Sequence, residues 1–303
     1  MKIMNKEKLK KRLEPLHRAY INLRYAYYTR SRKIRVHNAL ETINKVIDDK
    51  VSVSRFGDGE FYLMWKTVDS PFQKLNDKLS ERLSEVFYSN HPGLIVCVPS
   101  YLRSVEDLYP KTQRWAKEWV VRYNASLDAT FGKVPGKEFF DTNFTRFYMS
   151  HVDKERSKRH IALIKQIWQD RDVCIIEGQS TRFGVGNDLL DNAKSVTRIL
   201  CPPRNAFDKY DEILNTALER VPQDALVLTA LGMTATVLAY DLALKGYQAI
   251  DIGHLDVEYE WFLMGATRKT AIKNKAVNEV GIQVVKGELD DSKYTSSIIA
   301  QIE

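Results

Sequence analysis

Apolar residues recur along this chain with two spacings, one typical of helices and one typical of buried strands. Short apolar runs predict strands, and segments with apolar residues three or four positions apart predict the helices between them. The first predicted strand begins at Val51. The other predicted strands span 94–98, 173–176, 196–200, 225–229 and 249–252. The predicted helices span 5–35, 38–50, 71–88, 153–169, 208–219 and 234–245, with a short helix between the strands at 173–176 and 196–200. This alternation predicts the α/β class, a mostly parallel sheet with helices on both faces.

Residues 104–150 do not follow either spacing clearly. Tryptophan and tyrosine residues are scattered through helical stretches, and Pro135 and Gly136 interrupt them. An irregular aromatic stretch of this kind forms ordinary helical packing, a lid, or a region that binds an acceptor substrate. The sequence leaves these alternatives open.

The first polar turn at a strand end lies within VSVSRFGDGEFYLMWK, residues 51–66, where an apolar run stops at a charged turn. In parallel sheets, ligands bind at the carboxyl ends of the strands. Asp58 and Glu60 are separated by one glycine and can both face a divalent cation, while Arg55 suits an anion such as a phosphate. The simpler interpretation is that Asp58 caps the following helix and Glu60 lies in its first turn. The local pattern leaves both interpretations open.

Three more strand ends carry residues that suit a phosphorylated ligand. Arg182, Gly186 and Asn187 lie in a glycine-containing loop whose N–H groups would meet an anion at a helix start, although a lone Gly-x-Gly is weak evidence. Arg204 and Asn205 suit the edge of a nucleobase or sugar, or else form a turn that caps the next helix. The remaining pair, Gly232 and Thr234, begins an apolar helix whose free N–H groups either hold a diphosphate or are simply capped.

The most informative segment is HLDVEYEW, which follows the last predicted strand. His254, Asp256, Glu258 and Glu260 recur at every second residue. Extended backbone would put all four on one side, whereas a helix would bring Asp256 and Glu260 together. Such close charges repel each other unless a cation or a basic partner compensates them. Together with the turn at Asp58, the segment predicts one site that binds a metal and supplies a carboxylate base, next to helix starts that suit a nucleotide diphosphate.

Composition narrows the class of protein. A chain of 303 residues with 44% hydrophobic content can bury a sizeable core. No run approaches the roughly 18 apolar residues of a membrane span, and the N-terminus lacks the apolar core of a signal peptide, so we expect a cytoplasmic protein. Cys97, Cys174 and Cys201 each lie in an apolar run and are expected to be buried, unpaired core residues in a reducing compartment.

The positive charge of the chain is concentrated in its N-terminal arm. Residues 1–36 hold 12 Lys or Arg and two Glu, a net charge of +10, whereas the rest holds 34 basic and 37 acidic residues, a net of −3. This distribution disfavours a body that follows the phosphates of a nucleic acid. Leucines and tyrosines interleaved with arginines suit an anionic membrane surface, so peripheral contact with the inner face of the membrane is one prediction. Packing of the helix on the body or on a second copy, as a homo-oligomer, is the alternative.

Several long segments resemble the GT-D fold glycosyltransferases, bacterial enzymes first catalogued as a conserved domain of unknown function. The segments are SRFGDGEF, EGQSTRFGVGNDLLDNAKSVTRILCPPRNAFDKYDEI, ALGMTATVLAYDLALKGYQAIDIGHLDVEYEWF and the NE that begins at Asn278. The resemblance covers roughly 38–282, which divides the chain into a basic helical arm (1–37), a GT-D-like domain (38–282) and a C-terminal tail (283–303) packed on or trailing from it. It implies a Rossmann-like sheet, a UDP-sugar donor, a divalent cation (Mn²⁺ or Mg²⁺), and glycan extension on adhesins or surface polysaccharides.

The resemblance also suggests roles for individual residues. The Asp-x-Glu element of the family falls on Asp58 and Glu60, which we assign to the metal, although Asp256 and Glu258 have the same spacing. Catalysis is assigned to the segment that comprises His254, Asp256, Glu258 and Glu260. Residues assigned to nucleotide-sugar binding are Arg55, Phe56, Gly57, Arg182, Gly186, Asn187, Arg204, Asn205, Gly232 and Thr234.

The resulting hypothesis is a transferase that moves a hexose, glucose or galactose, from UDP to a hydroxyl of a lipid-linked or protein-linked glycan. A metal-dependent phosphoesterase acting on nucleotide sugars and a non-catalytic partner of another transferase are the alternatives. The transferase hypothesis requires that Glu60 and His254, far apart in sequence, line one cleft.

Overall fold

The computed structural model describes residues 6–69, 73–282, 284–285 and 291–303. Its strands are β1 (Arg35–Val36), β2 (Ser52–Arg55), β3 (Leu94–Val98), β4 (Glu138–Asp141), β5 (Asp172–Gly178), β6 (Ser195–Cys201), β7 (Leu226–Ala230), β8 (Gln248–Asp251) and β9 (Ile298–Gln301). Its α-helices are α1 (Lys6–Ser31), α2 (Ala39–Asp48), α3 (Asp58–Met64), α4 (Asp77–Tyr88), α5 (Pro110–Arg122), α6 (Asn124–Phe131), α7 (Arg156–Lys165), α8 (Tyr210–Arg220), α9 (Met233–Leu244), α10 (Leu255–Leu263) and α11 (Ser292–Ser297).

Within the described ranges, nine strands pair in parallel into one sheet in the order β1-β4-β3-β2-β8-β7-β5-β6-β9. Each inner strand is buried on both faces, and alternate residues belong to two separate cores. In β5, for example, Cys174 and Ile176 point into one core and Val173 and Ile175 into the other. Helices α4, α5, α8 and α9 cover the first core and α2, α7 and α10 the second. The predicted α/β sheet with helices on both faces is therefore confirmed.

Local sequence signals explain where several helices begin. The Asn38 side chain accepts the Glu41 N–H at 3.0 Å, and the Glu41 carboxylate accepts the Asn38 N–H at 2.7 Å, which is a capping box at the start of α2. Helix α5 begins with Pro110, whose missing N–H costs nothing at a first helical position. This helix and α6 show that part of the irregular stretch at 104–150 is helical.

Two predicted helices differ from the structure. The helix predicted at 71–88 begins at Asp77, and its first predicted residues, 71 and 72, lie outside the described residues. The short helix predicted between β5 and β6 is wrong, because this connection consists of turns. Arg182, Gly184 and Gly186 have φ angles of 50°, 71° and 79°, in the left-handed region that a right-handed helix does not enter.

Helix α1 packs on α5 through one of its faces. Ile21, Tyr25 and Tyr28 are buried, and the Tyr25 hydroxyl donates to the Tyr101 carbonyl at 2.8 Å. On the outer face Leu16 and Leu23 are 68% and 72% exposed. The membrane contact and the self-association predicted for this arm stay predictions. Strand β1 extends the sheet from within the predicted arm, and β9 extends it from within the predicted tail.

The three cysteines are buried and unpaired, as predicted, and burial raises the pKa of each thiol. In the part of the chain that the structure describes, no helix combines the length and the apolar character that crossing a membrane requires.

The imidazole of His160 makes the fold sensitive to acid. Its Nε2–H donates to the Phe144 carbonyl at 2.7 Å, and Nδ1 has no hydrogen-bond partner among the described residues. Burial lowers the pKa of His160 from 6.5 to about 4. Between these two pH values the unfolded chain binds a proton that the folded chain excludes, so acidification favours unfolding.

We expect this group to lower the free energy of unfolding by roughly 2–3 kcal/mol between pH 7 and pH 4. Urea denaturation across that range measures the loss, which should be smaller by this amount in His160→Gln. His17→Gln, a change of an exposed histidine on α1, is the control and should keep the wild-type pH dependence. Equal pH dependence in His160→Gln and the wild type would contradict the argument.

Candidate active site

An open cleft of about 980 Å³ runs along the carboxyl ends of the strands. This is the edge at which parallel α/β sheets bind ligands. Residues at the ends of β2 and β8 line the centre of the cleft. Residues that follow β3 and β4 line one side of it, and residues that follow β5, β6 and β7 line the other side. Glu60 and His254 both line it, so the structure meets the requirement that the sequence hypothesis set.

Arg55 and Asp251 form the floor of the centre. The Arg55 guanidinium donates to Asp251 Oδ1 at 3.0 Å and to the Thr145 hydroxyl at 2.6 Å, and the Thr236 hydroxyl donates to Asp251 Oδ2 at 3.1 Å. A Cβ at Gly253 would overlap the guanidinium, so the close approach of Arg55 requires glycine there. Sequence reasoning missed Asp251, although a carboxylate at the carboxyl end of an apolar strand is typical of a ligand-binding site in this class of fold.

Asp58 and Glu60 lie on the first turn of α3 and differ in what they contact. Glu60 Oε2 accepts the Gly57 N–H at 2.7 Å, so Glu60 does stabilise the helix start as the simpler interpretation held. Burial and the charge of Asp251 raise the pKa of Glu60 to about 7. Asp58 is not the capping residue, and its carboxylate makes no hydrogen bond or ion pair with any described residue. It is therefore available to a ligand.

His254 lies at the end of β8 among groups from distant parts of the chain. Arg146 Nη2 is 2.9 Å from His254 Nδ1, and the Asn278 amide nitrogen is 3.2 Å from His254 Nε2. Arg146 also donates to Glu279 at 2.5 Å. Burial opposes ionisation of Glu279, but the hydrogen bond with His254 and the charge of Arg146 outweigh it and hold the pKa of Glu279 below its ordinary value. Sequence reasoning missed Arg146, whose segment shows no clear period.

The HLDVEYEW segment forms helix α10, which settles the alternative between helix and extended backbone. As the helical alternative predicted, Asp256 and Glu260 come together. Lys275 is the basic partner, with Nζ 2.6 Å from Asp256 and 3.0 Å from Glu260. Both the Lys275 and Asp256 side chains are 3% exposed. The lysine compensates the charges that looked unbalanced in the sequence.

Glu258 has a different partner on the same helix. Its carboxylate accepts the N–H groups of Tyr148 and Met149 at 3.0 and 2.8 Å, which fixes the loop after β4. Of the four residues predicted to be catalytic, His254 lies in the described lining of the cleft. The other three, Asp256, Glu258 and Glu260, do not. The segment therefore supports the cleft more than it forms its surface.

The residues predicted to bind a nucleotide sugar divide into two groups. Those in the described lining of the cleft are Arg55, Gly57, Arg204, Asn205 and Gly232. Those outside it are Phe56, Arg182, Gly186, Asn187 and Thr234. Gly232 immediately precedes α9, so the free N–H groups at the start of a 12-residue helix lie at the cleft.

Two predictions in the second group need correction. Phe56 is 0% exposed and packs on Phe61 and Phe87, so the prediction that it contacts a ligand is wrong. The predicted anion site at Gly186 is also wrong, because no helix starts there. Instead, the Asn187 amide donates to Asp256 at 2.9 Å. Arg182, whose guanidinium donates to the Asn274 carbonyl at 3.1 Å, and Thr234, which is fully buried, also lie outside the described lining.

Asp58 and Glu60 provide the hard oxygen ligands that a divalent cation prefers. Within 6–69, 73–282, 284–285 and 291–303, no group of three or more His, Cys, Asp or Glu side chains is placed to hold a metal by itself. A cation that accompanies a phosphorylated substrate needs one or two carboxylates, since phosphate oxygens and water complete its coordination. Both carboxylates line the cleft, where such a substrate would bind.

A parallel α/β protein with carboxylates, a guanidinium group and a helix start around one cleft is built like an enzyme that acts on a phosphorylated substrate. Comparison with known families identifies the class. The model of the glycosyltransferase GT-D fold matches residues 53–280. The chain belongs to this family, which confirms the resemblance seen in the sequence.

Relatives and solved structures agree with this assignment. The chain is 36% identical over 273 residues to the probable glycosyl transferase Gly of Streptococcus gordonii and 33% identical over 270 residues to glycosyltransferase GlyD of Streptococcus pneumoniae serotype 4 (strain ATCC BAA-334 / TIGR4). Each match covers 89% of this chain but 39% and 33% of those longer relatives.

Two solved structures share the fold. A structure of the highly conserved domain of unknown function 1792, described as having a distinct glycosyltransferase fold, matches with a TM-score of 0.86 and 34% identity over 92% of this chain and 100% of that one. A glycosyltransferase of the same domain class from Streptococcus sanguinis matches with a TM-score of 0.83 and 35% identity over 89% of this chain and 100% of that one.

Proposed function

We propose that this glycosyltransferase moves a hexose, glucose or galactose, from a UDP-sugar to a hydroxyl of a glycan acceptor with the help of a divalent cation. The observation that carries the proposal is the meeting of Asp58, Glu60 and His254 in one cleft beside the start of α9. Surface polysaccharide or adhesin glycans are the acceptor class, and the reaction takes place in the cytoplasm.

The donor lies on the side of the cleft formed by β5, β6 and β7. Gly178, Arg204, Asn205 and Gly232 line this side. Arg204 is exposed and its guanidinium suits an anionic or planar group, while the N–H groups at the start of α9 suit the diphosphate. The nucleobase and the two phosphates thus meet complementary groups at the ends of β6 and β7, on the same side of the cleft.

Asp58 and Glu60 would hold the cation at the centre. A divalent cation bound there would supply positive charge that stabilises UDP as a leaving group. Asp58 would bind it without giving up a hydrogen bond or ion pair to a described residue, and the Gly57 N–H positions Glu60. Arg55 and Asp251 keep this centre rigid, because Arg55 is tied to both Asp251 and Thr145.

In this proposal the acceptor hydroxyl replaces the Asn278 amide at His254 Nε2 and gives its proton to that nitrogen, while Glu279, 3.4 Å from Nδ1, stabilises the imidazolium that results. Arg146 and Asn278 contact the two ring nitrogens and fix the orientation of the imidazole. Asp256, Glu258 and Glu260, which the sequence suggested for catalysis, hold α10 and the loop after β4 in place. The catalytic segment thus acts through one residue, with the other three in supporting roles.

A donor screen that measures UDP release tests the proposal. UDP-glucose and UDP-galactose are incubated with and without Mn²⁺ and with and without a glycan acceptor. We expect metal-dependent UDP release that rises when acceptor is added. UDP release that does not depend on the acceptor would favour a phosphoesterase. If calorimetry shows no binding of UDP in the presence of Mn²⁺, a non-catalytic partner of another transferase would be favoured.

A further inference from the structure

The cleft extends well past the carboxylates on the side of β3 and β4. Tyr101, Leu108, Lys111, Trp115 and His151 line this side, and we call them the aromatic lobe. The sheet order places β3 and β4 on one side of β2, and β8, β7, β5 and β6 on the other. The aromatic lobe and the donor side therefore lie on opposite sides of Asp58 and Glu60.

Trp115 is the exposed tryptophan of the chain. Its side chain is 44% exposed on the face of α5 that lines the cleft, whereas Trp119, Trp168 and Trp261 are buried. Tyr101 holds it by an edge contact, with the ring centroids 5.6 Å apart and the planes at 84°. An indole held in place in this way presents a large, rigid apolar surface to a ligand. A flat apolar surface beside polar groups matches the C–H face of a sugar ring, which has hydroxyls around its edge.

His151 adds an unsatisfied polar group to the same lobe. Its side chain lines the cleft, the residue is 6% exposed, and Nδ1 has no hydrogen-bond partner in the described chain. Because Nδ1 is itself buried, the His151 imidazole forms part of the wall of the lobe. The backbone bridge between Leu108 and His151 ties the loop before α5 to the loop after β4, so the lobe is preformed.

The aromatic lobe also lies next to the two carboxylates at the centre of the cleft. Tyr101 and Trp115 line the same cleft as Asp58 and Glu60. Lys111 is exposed one helical turn before Trp115 and makes no ion pair with a described residue. A ring stacked on Trp115 would thus lie beside the site where the donor sugar is transferred.

We propose that the aromatic lobe is the acceptor subsite, in which a sugar ring of the glycan stacks on Trp115. This assignment rests on the proposed transfer to a glycan. It gives the cleft a donor side and an acceptor side with the carboxylates between them. The acceptor is then a saccharide with an exposed apolar ring face, and recognition extends beyond the reacting hydroxyl.

Binding of simple glycosides tests the subsite without any turnover. The probes are methyl β-D-glucoside, methyl β-D-galactoside and methyl N-acetyl-β-D-glucosaminide. Their binding to the full chain is measured by saturation-transfer NMR. We expect the wild type to bind at least one probe, Trp115→Ala to weaken its Kd at least 10-fold, and Trp115→Phe to give an intermediate value. Tyr20→Ala, which removes an exposed ring on α1, should bind as the wild type does. No binding by the wild type, or equal binding by Trp115→Ala, would overturn the proposal.

Kinetics then separate this proposal from the proposed function. Trp115→Ala should raise the KM for the bound glycoside at least 10-fold, whereas Tyr20→Ala should leave both this KM and acceptor-independent UDP release at wild-type values. A wild-type acceptor KM in Trp115→Ala would also overturn the subsite. If the wild type binds a glycoside at Trp115 but releases no UDP from any UDP-sugar, the proposed donor is wrong and the subsite stands.

Discussion

Asp58→Asn is expected to lower metal-dependent UDP release by roughly 100-fold or more, since losing one group that stabilises developing charge typically costs that much. The change keeps the shape of the side chain and removes its charge. Because the Asp58 carboxylate makes no hydrogen bond or ion pair with a described residue, folding should be little affected. UDP release is measured over a range of Mn²⁺ concentrations, and the apparent affinity for Mn²⁺ should fall as well.

Asp224→Asn is the matched control for this experiment. Asp224 is exposed and precedes β7, so it lies at the amino-terminal edge of the sheet, opposite the cleft. The same chemical change there should leave UDP release and its metal dependence at wild-type values. Full activity in Asp58→Asn, with a thermal unfolding profile equal to that of the wild type, would remove Asp58 from the proposed cation site.

The location of the cleft could be predicted from the sequence because it follows from the strand-end rule. Short apolar runs identify the strands, and parallel strands bring their carboxyl ends to one edge. Strands β2 and β8 are neighbours, with Val53 opposite Ile250, so the turns that follow them meet although nearly 200 residues separate them. That adjacency is why Glu60 and His254 reach one cleft.

Roles of individual side chains were harder to predict because they depend on partners that are distant in sequence. Phe56 lies between Arg55 and Gly57 in a turn that lines the cleft, yet its side chain points into the first core. The regular spacing in HLDVEYEW suggested a single acidic surface, whereas helix α10 sends Glu258 toward the backbone of Tyr148 and Asp256 toward Lys275. The local sequence around Lys275 does not indicate that this lysine is buried.

Lys275→Met is expected to destabilise the protein by about 3–5 kcal/mol, the usual cost of removing one partner from a buried ion pair. Asp256 and Glu260 would lose the cation that compensates them, and the methionine cannot replace it. Urea denaturation measures the loss. Lys273→Met, an exposed lysine two positions away, is the matched control and should change stability little.

A second variant decides whether this network is structural or takes part in transfer. Adding Asp256→Asn and Glu260→Gln to Lys275→Met removes the uncompensated charges, so part of the lost stability should return. If the network only supports the fold, the folded triple variant keeps UDP release within a few-fold of the wild type, since these side chains lie outside the described lining of the cleft. A stable triple variant that has lost turnover would instead place Asp256 or Glu260 in the reaction, as the spacing of the sequence first suggested.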